Sequence, residues 1–201
     1  MADITITTNF PDVSRKLASM RKEIADRAIA SAINKTVDQA RTAMVREITS
    51  EFNLTAGFVR QRLRVTRARA RPGQLVLEAA LIGSAKRRSA NVIRFVERFV
   101  SLAQARSRAK GGTQNQLRFK FKKRGNAKLI EGSFIGNKGR TVFQRTGEER
   151  LPIDPVQVIG VPQMFTTRKI NAAVRKLIND RFGLIFEREA RFFTERFSSA
   201  R

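Results

Sequence analysis

VFQRTGEERLPIDPVQVIGVPQMF, residues 142–165, sets three prolines within eleven positions, Pro152, Pro155 and Pro162. Each proline fixes its own φ and pushes the residue before it out of the helical region. Leu151–Val161 is therefore predicted to run as an extended, kinked strap. Upstream, Val142 and Phe143 favour a strand, and Thr146-Gly147 ahead of Glu148-Glu149-Arg150 reads as a turn. Leu151, Ile153, Val156, Val158 and Val161 make the strap apolar, which predicts that it lies on a core. Gln163-Met164-Phe165-Thr166 leads on into a helical pattern, predicted over about Thr167–Phe197, with Ile170, Val174, Leu177, Ile178, Ile185, Phe193 and Phe197 near helical spacing.

Working outward, Asp3–Thr8 alternates like a short edge strand. Asp12 after Pro11 is a helix cap, and apolar positions from Val13 to Ile48 mark a long helix. Its face shifts near Ser31, which predicts a bend or a break into two helices. Asn53 or Thr55 caps a short helix running to Leu63, with Phe58, Val59 and Leu63 facing inward. Arg64–Ala70 and Gln74–Ile82 read as two strands around Arg71-Pro72-Gly73, the second apolar enough to be central. Gly83–Ala90 is a loop. Asn91–Ala109 is predicted as a helix, although Val92–Val100 suits a strand equally well. Leu117, Phe119 and Phe121 alternate with Arg118, Lys120 and Lys122, the pattern of a half-buried strand. A turn at Lys123–Asn126, a strand over Ala127–Ile135, a turn at Asn137–Gly139 and a strand over Arg140–Arg145 complete the middle. The fold class is α+β: a long N-terminal helix or helix pair and a C-terminal helix, packed on a small, mainly antiparallel sheet. One domain over 1–201 is expected, with a helical part at 12–63, a basic β-rich middle at 64–146, and the strap and last helix at 147–197.

The 201 residues carry 41 Lys+Arg against 17 Asp+Glu, a formal net charge of +24. Half of that excess sits in 86–125, where thirteen basic residues meet a single acid, Glu97. So concentrated a surplus points to a polyanion, and nucleic acid is the commonest. The predicted DNA-facing set is Lys86, Arg87, Arg88, Arg106, Arg108, Lys110, Arg118, Lys120, Lys122, Lys123 and Arg124. Contact would be sequence-independent, since flexible cations position phosphates but read no bases. Strict alternation assigns Phe119 and Phe121 to a core in preference to stacking on bases. An acidic protein neighbour is the competing partner for the same charge.

Catalysis finds little material. With no His and no Cys, the chain has no disulfide, thiolate zinc site or neutral-pH proton shuttle, and no metal or cofactor is expected. Glu148-Glu149 falls in a turn, and Glu187 and Glu189 are expected to form surface pairs with arginines. No run of about twenty apolar residues exists, so no membrane helix is expected, and MADITITTNF lacks a signal-peptide pattern. Synthesis and assembly in a cytoplasm follow as the expectation.

Phe143-Gln144-Arg145, Leu151-Pro152-Ile153 and Val161-Pro162-Gln163-Met164, in this order, resemble the phage minor tail protein Z family. Ala30–Thr36 (ASAINKT) and the basic stretch Gly57–Ala70 add weaker likeness. The resemblance implies a structural, non-enzymatic tail-completion protein at the head-proximal end of the virion tail. It also implies a ring-forming subunit, a hexamer favoured, whose partners are tail-tube, tail-terminator and neck proteins and the double-stranded DNA passing through. The alternative is a free-standing, non-specific nucleic-acid-binding protein.

Overall fold

In a computed structural model, residues 11–71, 74–76, 80–83, 89–97, 117–147, 149, 151–160, 163–164 and 167–198 are described. The predicted strand at 3–8 lies outside them. Helix α1 (Pro11–Ala18) opens the described chain and α2 (Lys22–Glu51) follows. Asp12 falls inside the first turn of α1, where its negative charge suits the helix N-terminus, and pairs with Arg15.

The predicted break near Ser31 is not there. The helix is interrupted at Ser19-Met20-Arg21 instead, and α2 runs unbroken for 30 residues. Its face shifts because its partners change. Ala28 and Ala32 in the N-terminal half meet Ile185, Phe186 and Ala190 of α4 (Arg168–Ser198), together with Val13. Met44, Val45 and Ile48 in the C-terminal half join Ile170 and Val174 from the other end of α4, so the two long helices are antiparallel. Small residues at Ala28 and Ala32 let the backbones approach closely.

Thr55 accepts a hydrogen bond from Phe58 N and caps α3 (Ala56–Arg60). The helix is shorter than expected because Leu63 already begins β1 (Leu63–Thr66). β1 pairs antiparallel with β4 (Ala80–Gly83), and β2 (Arg69–Arg71) with β3 (Gln74–Val76). The register steps by one residue between Thr66↔Ala80 and Arg69↔Val76, so the predicted hairpin is split into two ribbons. Among the described residues the apolar return strand is therefore not central; it is one side of two-stranded pairs.

β5 (Ser89–Asn91) leads into a 3-10 turn at Val92–Phe95, and Val96 bridges to Phe119. That overturns the predicted helix from Asn91 through Glu97; its remainder, 98–109, lies outside the described residues. β6 (Arg118–Phe119) pairs with β7 (Lys128–Leu129). Gly132, at φ +66, turns the chain before β8 (Ser133–Gly136), dividing the single strand expected over 127–135. β8, β9 (Thr141–Arg145) and β10 (Ile153–Pro155) form the one three-stranded sheet among the described residues, in the order β10-β9-β8.

The strap is extended and kinked, as its prolines dictate. β10 pairs with β9 and β11 (Gln157–Ile159) with β5, so the strap changes partner at Val156. Val156 N donates to Val142 O at 2.9 Å, while Val156 O accepts from Val92 N at 3.1 Å. It does not lie on the core along its whole length. Leu151 is 64% exposed, Ile153 is half-buried, and among the described residues of the strap only Val156 and Val158 pack against the main cluster. That cluster centres on Met44, Ile48, Val59, Phe95, Phe119, Val142, Met164 and Ile170.

Candidate nucleic-acid interface

Five of the eleven predicted cations can be placed: Arg118, Lys120, Lys122, Lys123 and Arg124. Lys86, Arg87, Arg88, Arg106, Arg108 and Lys110 lie outside the described residues. The alternation holds. Leu117 and Phe119 are buried and Phe121 is half-buried, while Arg118 and Lys122 are exposed and Lys120 is half-exposed. Phe121 stands 5.1 Å from Phe95 and 6.5 Å from Phe119, ring centre to ring centre, within the range of favourable aromatic pairs.

Backbone bonds fix the basic turn onto the end of α2. Asn53 N donates to Phe121 O and Lys123 N to Glu51 O, both at 2.9 Å. Lys120 N donates to Phe95 O at 2.7 Å. Lys123 and Arg124 stand exposed in the turn. Lys122 does not face outward alone, because its Nζ lies 3.2 Å from Glu51 Oε1. No local spacing rule links that pair, since 71 positions separate the two residues. Beside Lys122, an open apolar groove of about 370 Å³ is lined also by Phe52, Phe95, Phe121, Val158 and Met164.

The motif residues serve the strap's geometry. Phe143 pairs with Pro155, Gln144 with Asp154 and Arg145 with Ile153. Gln144 also donates to Glu131 O at 3.0 Å, and Arg145 lies over the Phe134 ring. Leu151 and Pro152 are exposed, and Thr146 binds Pro152 O through both its backbone N and its hydroxyl. Gln163 accepts from Gly160 N through its side chain, and its backbone N donates back to Gly160 O. The resulting turn delivers Met164 into the core. Val161 and Pro162 lie outside the described residues.

Two polar hubs were not read from the sequence. Asn91 accepts from Val142 N (2.9 Å) and Ile93 N (3.1 Å) and donates to Val142 O (3.1 Å), so its amide acts as an added rung beside β9. Its place just before an apolar turn was the available signal. The second corrects an expectation. Glu187 does pair at the surface, 3.6 Å from Lys16, but Glu189 is buried at 3% exposure. Glu189 accepts from Lys35 Nζ at 2.6 Å and Ser31 Oγ at 2.8 Å. Burial pushes its carboxyl pKa up, but the bonds from Lys35 and Ser31 and the charges of Lys35 and Arg188 outweigh this and hold it below the ordinary value. Ser31 and Lys35 sit in ASAINKT, and Asn34 of the same segment binds Ala68 O and N, both at 2.9 Å. Those polar residues dock α2 on α4 and on the β1–β2 region. Glu149 is exposed, and no cluster of acids able to hold a metal occurs among the described residues.

The architecture is that of a basic α+β scaffold: an antiparallel helix pair carrying short antiparallel ribbons and a cation-bearing turn. Prophage minor tail protein Z (GPZ) is the family whose description matches, over residues 12–196, and the chain belongs to that family of structural phage tail proteins. Its place is thus the virion tail, and none of the described helices is long and apolar enough to cross a membrane. No curated protein and no solved structure matches the chain.

Proposed function

We propose that the protein is a tail-completion subunit at the head-proximal end of the tail, one non-enzymatic domain over 1–201 that forms a ring about the DNA path. The observation that carries this reading is a charge of +24 in a member of a phage tail family, half of it in 86–125. A collar around passing DNA meets dense phosphate charge, which such a surplus would offset. In a ring the subunits would repel one another unless DNA, salt or acidic neighbours screened them. Assembly onto an acidic tail end removes that obstacle. Its partners are then tail-tube, terminator and neck proteins, with double-stranded DNA contacted without sequence preference.

Labelling the protein in purified particles tests the placement. Signal confined to the head–tail junction supports it. Signal along the whole tail or at its distal tip contradicts it.

A further inference from the structure

Between Phe52 and Leu77 the chain carries six arginines (Arg60, Arg62, Arg64, Arg67, Arg69 and Arg71), no lysine and no acid. The structure gives them different tasks. Arg67 forms a forked pair with Asp38 at 2.9–3.1 Å, and one helical turn away Asn34 holds Ala68 by two bonds. These two locks fix the ribbon to α2. Arg60, Arg64 and Arg69 are exposed. Arg62 is half-buried, with its guanidinium carbon 3.6 Å from the centre of the Phe58 ring. Arg94, on the 3-10 turn, lies 4.9 Å from the same ring.

Two guanidinium groups on one aromatic ring are held by cation–π attraction, and Arg62 also by a long bond from one guanidinium nitrogen to Phe58 O at 3.4 Å, yet they repel each other. Among the described residues neither has a carboxylate partner. Desolvation, and after it the charge of Arg94, lowers the Arg62 pKa, the direction expected of a cation that lacks an anion. Phe58 is itself buried, so the ring is a fixed platform. Arg62 ends the turn after α3 and Arg64 is the second residue of β1, on either side of buried Leu63 in sequence. Arg94 adjoins Phe95, whose carbonyl accepts from Lys120 N, so the pair sits next to the basic strand in space.

We propose that Arg62 and Arg94, stacked on Phe58, form an oxyanion site that grips phosphodiester groups of a nucleic-acid backbone. Arg64 extends the track along β1. A guanidinium offers a planar fork that matches two phosphate oxygens, which an ammonium cannot do, and an ordered fork loses less freedom on binding. The site deepens the polyanion reading of 86–125 and rests on it only for the identity of the ligand. Where in the particle the protein stands does not enter.

The test compares a 20-base-pair duplex with poly-glutamate as probes, using the full chain. Arg94→Lys keeps the charge and removes the fork. Because Arg94 is exposed, this variant is expected to melt as the parent does. It should weaken duplex binding about 3- to 10-fold while leaving the log–log salt slope unchanged. Arg94→Gln should weaken binding further and flatten the slope by about one unit. Arg62→Lys should repeat the Arg94→Lys result, read beside its own melting curve. Equal duplex affinity for Arg94→Lys and parent would overturn the proposal, as would a loss for poly-glutamate as large as that for duplex, which would assign the site to a carboxylate-bearing protein. An alanine variant of Lys122, Lys123 and Arg124 separates the readings. If it binds duplex as the parent does while Arg94→Lys does not, the turn fails as a DNA contact and the arginine site stands.

Discussion

The helix pair and the strand-built half of this molecule are held together by different means. Along α2 and α4, apolar residues at helical spacing close on one another, and two acids of α4 are paired within the helical half, Glu189 with Lys35 and Ser31 and Glu187 with Lys16. The strand half has ribbons of two or three strands, each too small to be stable alone. Side-chain-to-backbone bonds from Asn91, Asn34 and Thr146 stitch those ribbons to one another and to α2. It also carries most of the unbalanced charge. The helical half lends Asp38 and Glu51 to Arg67 and Lys122 of the strand half, which still presents a surplus of cations whose counter-charge must come from outside.

The largest expected effect falls in the helix pair. Phe186 is fully buried between α2 and α4, and Phe186→Ala should cost about 3–5 kcal/mol, read by chemical denaturation. A loss under about 1 kcal/mol would mean the interface re-forms around the gap and is not the jigsaw described.

Asn91→Ala should cost about 1–3 kcal/mol, because the buried Val142 N–H loses its acceptor. Hydrogen exchange sharpens the contrast. Protection should fall first in β5, β9 and the 3-10 turn and last in α2 and α4. Uniform loss across the molecule would show that the two halves open as one.

How much of this was legible depended on the range of the interaction. The prolines, the alternation through Leu117–Phe121 and the Thr55 cap are local rules, and each was met by a strap, a core-facing strand and a short helix. The shift of the apolar face near Ser31 misled, because it marks a change of packing partner along one unbroken helix, from one end of α4 to the other, and not a break. Leu151 misled in another way: apolar character predicted burial, yet the residue is exposed among the described parts of the chain. Lys122 was assigned to phosphate by its position in a charged run, and only the approach of Glu51 showed it to be partly neutralised.

Glu189→Gln should cost about 1 kcal/mol or more at neutral pH, since Lys35 and Ser31 donate to different carboxylate oxygens and the single amide oxygen, without charge, can replace only one of them. The pH dependence carries the sign. A carboxylate held below its ordinary pKa stabilises the fold above the unfolded value, and the contribution is lost as pH falls through the lowered folded value. The gap between parent and variant should therefore narrow in acid, below about pH 4.3. A gap that widens there would contradict the assignment of Glu189 as a buried anion. Smallest of all is Ile153→Asp. On a half-buried strap residue it should cost under about 1 kcal/mol, and a larger loss in thermal melting would place the strap deeper in the core.

The central claim is that the strand half takes its counter-charge from a phosphate backbone. Duplex affinity measured across salt concentrations tests it, for the parent and for a variant with Lys122, Lys123 and Arg124 all changed to alanine. Because Lys122 is already paired with Glu51, removal of three cations should flatten the log–log slope by about two units, not three. All duplex sequences should weaken about equally. An unchanged slope, or affinity retained at high salt, would contradict the account and assign this face to protein.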